Sequence, residues 1–172
     1  MAATTFDAFL QEALPGLARY ANVLTGDRYA AEDLLQDTLV KAAGAWPRMR
    51  QDGNPVAYVK TVMVRTHVSW WRRHRPTRPL TEDIRAQDSG LGTVEDRDQL
   101  RRALAAVPPT QRAVLVLTYF DGADDAEIAD LLQRRPATIR SLRHRGLQGL
   151  RRHLSSTELA GVAASSDHRE TS

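Results

Sequence analysis

The chain has 172 residues, with a hydrophobic fraction of 42% and a charged fraction of 26%, values typical of a globular protein. The net charge is only +3, so the placement of charge carries more information than its total. The absence of Cys excludes a disulfide scaffold, a thiolate metal site and a Cys nucleophile, and it suits a reducing compartment. Neither a signal peptide nor an apolar stretch of the ~20 residues that span a bilayer is found, so we expect a cytoplasmic protein without a membrane segment.

Two amphipathic helices are predicted at the start of the chain. The first covers about residues 5–25, with a kink or break expected at Pro15–Gly16, and Gly26–Asp27 ends it. The second carries an apolar stripe that ends at Trp46, and its opposite face bears acidic and amide groups. That face consists of Glu32, Asp33, Gln36, Asp37 and Lys41. It is either solvated, which is usual, or it docks a basic protein partner.

The third segment fits both a helix and a strand by periodicity, and its Asn54–Pro55 start favours a helix. It has no acidic residue between Asp52 and Glu82. Its basic and aromatic residues include Tyr58, Lys60, Arg65, Trp70, Trp71, Arg72, Arg73 and Arg75. This mixture suits a single strand of DNA, because cations hold phosphates and rings stack on bases. The alternative is that the Trp residues belong to the core and the Arg residues to a solvated helix end.

An irregular, acidic stretch rich in Pro and Gly separates the two halves of the chain. Because a compact domain rarely contains such a long structureless segment, we place a linker at residues 76–96. The predicted fold is all-α, with a first helical domain at 1–75 and a second at 97–154, followed by a disordered tail at 155–172. Within the second domain, Thr110 is the expected cap of a central helix.

The segment from Arg134 to Leu154 is apolar at helical spacing and otherwise cationic, with seven Arg and no acidic residue. Together with the short helix before it, this segment predicts a helix-turn-helix. The start of the second helix would lie in the major groove of duplex DNA, where Arg can bond guanine. The outward residues are Arg135, Thr138, Arg140, Ser141, His144 and Arg145. The alternative is an ordinary Arg-rich surface helix.

Three segments, in this order, resemble parts of sigma-70-type transcription initiation factors. AEDLLQDTLVKA resembles their helix that binds core RNA polymerase, and NPVAYVKTVMVRTHVSWWRRHRP resembles their promoter-melting helix. Residues from Leu104 to Leu154 resemble their domain that recognises the upstream promoter element. The two-domain layout is similar to the extracytoplasmic-function (ECF) group, and within it to the actinobacterial SigE-type branch. The chain departs from the family pattern in three places: Ala137 replaces a Gly, Leu142 and Arg143 follow Ser141 where an Arg is common, and Gln133 stands in a turn that usually contains Gly. These departures affect which bases the second domain would prefer.

The resemblance implies a division of labour and no cofactor or metal. The acidic face of the second helix would bind the clamp helices of the largest polymerase subunit. The loop from Pro47 to Asn54, including Asp52, would bind a base flipped from the −10 element, and the basic third helix would hold the melted non-template strand. The second domain would recognise duplex −35 DNA and contact the flap of the second-largest subunit. An anti-sigma factor would occlude the polymerase-binding surfaces of both domains.

Two other classes of function fit the sequence less well than a promoter-specific initiation factor for a particular regulon. A stand-alone helix-turn-helix regulator would explain Arg134 to Leu154 but neither the acidic face nor the basic, Trp-containing segment. An enzyme is disfavoured, because the chain has no HExxH motif, no P-loop, no defensible Ser-His-Asp set and only scattered His residues.

Overall fold

The structure is a computed structural model, and it describes residues 5–49, 53–73 and 94–167. These residues form seven α-helices and one 3₁₀ turn, and they include no β-strand. The predicted all-α class is therefore confirmed. Helices α1 to α3 form an N-terminal domain, and helices α4 to α7 form a C-terminal domain.

The first helix, α1 (Phe6–Thr25), is not broken at Pro15. A proline removes one backbone hydrogen bond, but Leu17 and Leu24 are fully buried on the inner face and hold the helix in place. The Thr5 hydroxyl accepts a hydrogen bond from the Ala8 amide at the helix start. Gly26 ends the helix with φ +72°, the left-handed conformation that glycine adopts without strain.

The next two elements follow the predicted order. The Asp27 side chain caps α2 (Arg28–Ala45) by accepting from the Ala30 amide, and a 3₁₀ turn (Trp46–Arg48) follows. Then α3 (Pro55–Arg73) begins with the side-chain oxygen of Asn54, Oδ1, accepting from the Ala57 amide at 3.1 Å. The helical interpretation of this ambiguous segment is therefore confirmed, since the cap and Pro55 start a helix that runs for 19 residues.

The core of the N-terminal domain lies between α1, α2 and α3. Its largest fully buried side chains are Leu17, Leu24, Leu34, Val59 and Met63. At one end, the Trp46 ring lies 5.1 Å from the Phe6 ring and 4.8 Å from the Phe9 ring, measured between centroids. These aromatic contacts hold the end of α2 against the start of α1.

The C-terminal domain is built around α5 (Pro109–Tyr119), in which six successive residues, Arg112 to Leu117, are buried. Helix α5 packs against α6 (Asp125–Leu132) and α7 (Pro136–Asp167), and α4 (Val94–Ala106) packs against α7. The expectation that Thr110 caps α5 is wrong. The N-cap position is Pro108, and Pro109 starts the helix because its fixed φ suits the first turn and its missing amide hydrogen is not needed there.

Two boundaries in this domain differ from expectation. Helix α4 begins at Val94, inside the stretch assigned to the linker. Helix α7 continues to Asp167, so the disordered tail expected from residue 155 is wrong for residues 155–167. The physical reason is that this stretch contains Leu, Ala and Glu, which favour helix, and extending an existing helix needs no new nucleation. Residues 168–172 lie outside the described part of the chain.

The two domains pack directly against each other. Helix α1 contacts α4 and α5, and helix α3 contacts α5 and α6. Buried residues of both domains, from Leu17 and Met63 to Val114 and Ile128, belong to one hydrophobic cluster. The described residues therefore share a continuous core across the domain boundary.

Candidate nucleic-acid and polymerase interfaces

The turn before α7 has a backbone conformation that glycine usually supplies. Gln133 ends α6 with φ 52°, and it is the one non-glycine residue with positive φ in the described ranges. The Arg134 amide donates to the Ala129 carbonyl at 2.8 Å, which closes the end of α6. Thus the absence of glycine in this turn is tolerated, and Gln133 carries a local conformational strain.

Helices α6 and α7 form the predicted helix-turn-helix. Asp124 and Glu127 make a capping box at the start of α6, in which each side chain accepts from the other residue's backbone amide. Ile128 and Leu132 on α6 and Ile139 on α7 are all fully buried, and Leu142 packs against them. This contact fixes the orientation of the first turns of α7.

Four predicted DNA-binding residues come together on the outer face of α7. They line a shallow, open depression and are Arg140, Ser141, His144 and Arg145. All four are exposed, the Ser141 hydroxyl donates to the Ala137 carbonyl, and the Arg145 guanidinium donates to the Ser141 carbonyl. Arg135 is exposed in the turn, and Thr138 is half-buried. The result is a cationic surface at the start of a helix-turn-helix recognition helix.

Arg143 has a different role from the neighbouring cations. Its guanidinium donates to both carboxylate oxygens of Asp125 on α6. The hydrogen bond with Asp125 raises the pKa of Arg143. This family-atypical Arg therefore joins the two helices of the motif and does not add to the outer surface.

Helix α3 presents part of its predicted basic set to solvent. Tyr58, Arg65, Arg72 and Arg73 are exposed, whereas Trp70 and Trp71 are half-buried. Trp70 packs against the hydrophobic core, and the Trp71 ring lies edge-on to buried His67 at 6.3 Å. The structure thus brings these residues onto one helix, with the two indoles partly committed to packing.

The remaining predicted −10 residues have specific surroundings or fall outside the structure. Lys60 is half-buried and donates to Asp121 of the C-terminal domain at 2.8 Å. Asn54 uses its side-chain oxygen as the cap of α3. Asp52 and Arg75 lie outside the described residues.

His67 lies on the basic helix α3, but its side chain is only 2% exposed. Neither ring nitrogen has a hydrogen-bond partner within the described ranges. Burial, and then the nearby positive charge of Arg112, lower the pKa of His67 to about 4. The imidazole is therefore neutral at physiological pH and belongs to the packing of α3 on the C-terminal domain.

The predicted acidic face of α2 is solvent-exposed. Asp33, Gln36 and Asp37 are exposed, Glu32 pairs with Arg28 at 3.1 Å, and Lys41 donates to Thr66 of α3 at 2.9 Å. Two apolar residues absent from the predicted set, Tyr29 and Val40, lie on the same side of α2. They are 78% and 74% exposed. Positions 29, 33, 36 and 40 follow helical spacing, so the sequence contains the information needed to find them. Together these exposed residues form the α2 face, which consists of Tyr29, Asp33, Gln36, Asp37 and Val40.

Comparison with known proteins decides which class of protein presents these surfaces. The family model described as Sigma-70 region 2 matches residues 9–77, and the one described as Sigma-70, region 4 matches residues 97–150. The chain is 31% identical to the RNA polymerase sigma-E factor of Streptomyces avermitilis, over 96% of this chain and 93% of that protein. The chain belongs to the sigma-70 family of RNA polymerase sigma factors. Within that family, it belongs to the ECF group.

More distant matches agree with the sigma-factor assignment. The ECF RNA polymerase sigma factor SigX of Bacillus subtilis is 22% identical, with 87% of this chain and 81% of that protein covered. A crystal structure of the sigma factor RpoE with the anti-sigma factor NepR from Bartonella quintana has the same fold. That likeness has a TM-score of 0.66 at 24% identity, and it covers 87% of this chain and 96% of the RpoE chain.

Family membership establishes the function at the level of the whole chain. This sigma factor binds core RNA polymerase, recognises −35 and −10 promoter elements and promotes the DNA opening that starts transcription. Sigma-70 factors are non-catalytic initiation factors. Among the residues that the structure describes, no helix is long and apolar enough to cross a membrane. The same residues contain no group of three or more His, Asp or Glu side chains placed to hold a metal ion.

Proposed function

We propose that the −35 element is recognised by the outer face of α7. The observation that carries this assignment is the cluster of Arg140, Ser141, His144 and Arg145, exposed together near the start of the second helix of a helix-turn-helix. An Arg that bonds both acceptors of a guanine contributes ~1–3 kcal/mol of discrimination against another base. Thr138 and Arg135, nearer the turn, are placed for contacts to the DNA backbone.

The −10 element is assigned to α3 and the loop before it. Tyr58, Arg65, Arg72 and Arg73 supply exposed aromatic and cationic groups, Lys60 adds an ammonium group, and the outer edges of Trp70 and Trp71 lie among them. The segment from Pro47 to Asn54, with Asp52, would hold a flipped base, and Arg75 would extend the basic surface. Unstacking a base costs a few kcal/mol, so melting without ATP requires tighter binding of the open strand than of the duplex. Cations and rings on one helix supply that difference.

Core RNA polymerase is assigned to the α2 face, through the clamp helices of its largest subunit. The acids and the amide give specificity and an electrostatic attraction to a basic partner. Tyr29 and Val40 add exposed apolar area, and aromatic residues of this kind often dominate binding energy at an interface. Glu32 and Lys41 flank this surface. The C-terminal domain would contact the flap of the second-largest subunit.

Two further features of the function follow from the same assignment. A protein that acts only with RNA polymerase works in the bacterial cytoplasm. A related fold is seen in complex with an anti-sigma factor, and an anti-sigma partner of this chain would compete with core polymerase for the α2 face.

The main test is in vitro transcription with core polymerase of a Streptomyces species and a promoter library randomised in both elements. Promoter-specific initiation that depends on the added chain is expected. The Arg140→Ala and Arg145→Ala variants should change or weaken −35 selection, whereas Arg19→Ala, which removes an exposed Arg from α1, should not. Unaltered promoter choice in both α7 variants would reject the assignment of this helix face.

A binding measurement tests the α2 face separately. Replacement of Asp33, Gln36 and Asp37 by Ala should weaken core binding at least tenfold with the helical content unchanged. The matched control replaces Asp7, Gln11 and Glu12 of α1 by Ala, which removes the same kinds of exposed group. Equal loss in both triple variants would show a general charge effect. Tight binding to duplex DNA without any response to core polymerase would favour a stand-alone regulator.

A further inference from the structure

A side-chain hydrogen bond joins the helix assigned to polymerase to the helix assigned to the −10 element. The Lys41 ammonium of α2 donates to the Thr66 hydroxyl of α3 at 2.9 Å, across 25 positions of the chain. Lys41 is an exposed residue, whereas Thr66 is only 3% exposed. The charged group of a surface residue is therefore directed inward, to a buried hydroxyl of the neighbouring helix. Hydrogen bonds with a charged donor are stronger than those between neutral groups.

The apolar contacts between α2 and α3 define the rotation of α3 about its own axis less closely than this bond does. The buried residue next to Lys41 on α2 is Ala42, whose side chain is a single methyl group. The buried residue one turn before Thr66 on α3 is Met63, an unbranched side chain that adapts to several packings. Burial of apolar area is non-directional, whereas a hydrogen bond weakens steeply when its angle is poor. The bond therefore fixes a rotation that packing alone leaves less defined.

The rotation of α3 decides where its exposed groups point. Tyr58 and Arg65 are seven residues apart, which is about two helical turns, so they lie on one stripe of the helix. Both are exposed. Arg65 directly precedes Thr66, and successive residues leave a helix about 100° apart. Holding Thr66 toward α2 therefore also sets the direction of this stripe.

The polymerase side of the connection lies within one turn of Lys41. Asp37 is four residues before Lys41 on α2, and Val40 directly precedes it. Both belong to the α2 face. A partner bound to the α2 face thus holds the same part of the helix from which Lys41 reaches α3.

We propose that Lys41 is a positioning residue for promoter opening: its bond to Thr66 holds Tyr58 and Arg65 at the angle that receives the melted strand once α2 is bound to core polymerase. This inference rests on the functions proposed for α2 and α3. Lys41 was predicted among the polymerase contacts, and the direction of its ammonium toward α3 gives it a different role. Loss of the bond weakens contacts made only with the open strand, so it lowers opening and leaves affinity for core unchanged.

Near-isosteric substitutions test the bond in the full chain. Thr66→Val removes the hydroxyl and keeps the shape of the side chain, and Lys41→Met removes the ammonium and keeps most of the stem. The matched control is Thr38→Val. Thr38 is also buried, but its hydroxyl donates to the Leu34 carbonyl within α2 at 2.7 Å, so the control removes a buried hydroxyl without touching the connection to α3.

The measurement is transcription by the reconstituted holoenzyme from two forms of one promoter selected from the randomised library. One form is a duplex, and the other is a heteroduplex whose −10 region is already unpaired. Thr66→Val and Lys41→Met should each lower the yield on the duplex by about fivefold or more, and on the heteroduplex by less than about twofold. A chain that is merely less stable loses the same fraction on both forms, so the ratio of the two yields does not change.

Two further results decide between positioning and direct contact. Affinity for core, measured by titration, should be the same for the wild type and both variants. Because both substitutions break one bond, the double variant should open the duplex no less than the weaker single variant does. A duplex-to-heteroduplex ratio for Thr66→Val equal to that of Thr38→Val would overturn the proposal. Additive losses in the double variant, or weaker core binding by Lys41→Met alone, would also reject it and return Lys41 to the polymerase contacts.

Failure of this proposal can be distinguished from failure of the proposed function. If the wild-type chain starts no promoter-specific transcription, the proposed function fails. If Arg65→Ala lowers the yield on the duplex but Thr66→Val behaves like its control, the assignment of α3 stands and the positioning role of Lys41 is rejected.

Discussion

Burial of His67 makes the free energy of unfolding of this sigma factor depend on pH, and the pKa of His67 sets the size of the effect. The imidazole is 2% exposed and near the Arg112 guanidinium, and its pKa falls from 6.5 to about 4. The unfolded chain therefore binds a proton on His67 near pH 6.5, whereas the folded chain binds it only near pH 4. Because the unfolded state holds more protons in this window, stability rises with pH there and is lost as the pH falls.

The magnitude follows from the shift at ~1.36 kcal/mol per pKa unit. The free energy of unfolding should fall by about 3 kcal/mol between about pH 7.5 and pH 4 through this residue alone, and by ~1.4 kcal/mol already at about pH 5.5. The His67→Leu variant abolishes that part of the pH dependence. It should also stabilise the chain at about pH 7.5 by ~1–3 kcal/mol, because two buried nitrogens without partners among the described residues are replaced by apolar atoms.

The assay is urea denaturation followed by far-UV circular dichroism at about pH 7.5 and about pH 5.5, with free energies extrapolated to water. His144→Leu removes an exposed imidazole and serves as the control, and it should retain the wild-type loss of stability in acid. A His67→Leu variant that is less stable than wild type and equally acid-sensitive would refute the argument from burial.

Three further predictions concern single side chains. Gln133→Gly should stabilise the chain by ~0.5–1 kcal/mol in thermal or urea unfolding, since glycine adopts the left-handed conformation at φ 52° without strain. A less stable glycine variant would show that contacts of the Gln side chain outweigh that strain. Tyr29→Ala should weaken binding to core polymerase about tenfold, or ~1.4 kcal/mol, with no change in a chain-only unfolding curve. Arg143→Met should cost ~1 kcal/mol of stability by breaking the pair with Asp125 while promoter choice stays the same, and altered −35 preference would place Arg143 among the DNA-contacting residues.

The elements that could be predicted from the sequence are those whose evidence is local. Asn54–Pro55 marks the start of α3, and Asp124 with Glu127 marks the start of α6, because capping depends on side chains a few residues apart. The buried contact of Ile128 and Leu132 with α7 follows from helical spacing alone. These short-range patterns were sufficient to predict the all-α fold and the exposed cluster of Arg140, Ser141, His144 and Arg145 on α7.

What could not be predicted depends on contacts between residues distant in the sequence. Asp121 joins Tyr20 across 101 positions and Lys60 across 61, and no spacing rule links them. The burial of His67 and Arg112 arises only when α3 and α5 come together. The helical continuation of α7 beyond residue 154 was missed for another reason, because the small and polar residues there resemble a disordered tail in composition.

The aromatic contacts around Trp46 have a consequence for how promoter preference can diversify. The Trp46 ring contacts both the Phe6 and Phe9 rings, and the Asn54 side chain is bonded to the first turn of α3. The segment between them therefore starts and ends at two fixed points that belong to the folded frame. Exchange of the residues between these two points should therefore leave both supports in place. Transplanting this segment from a relative should carry over that relative's −10 preference and leave the host's melting temperature nearly unchanged.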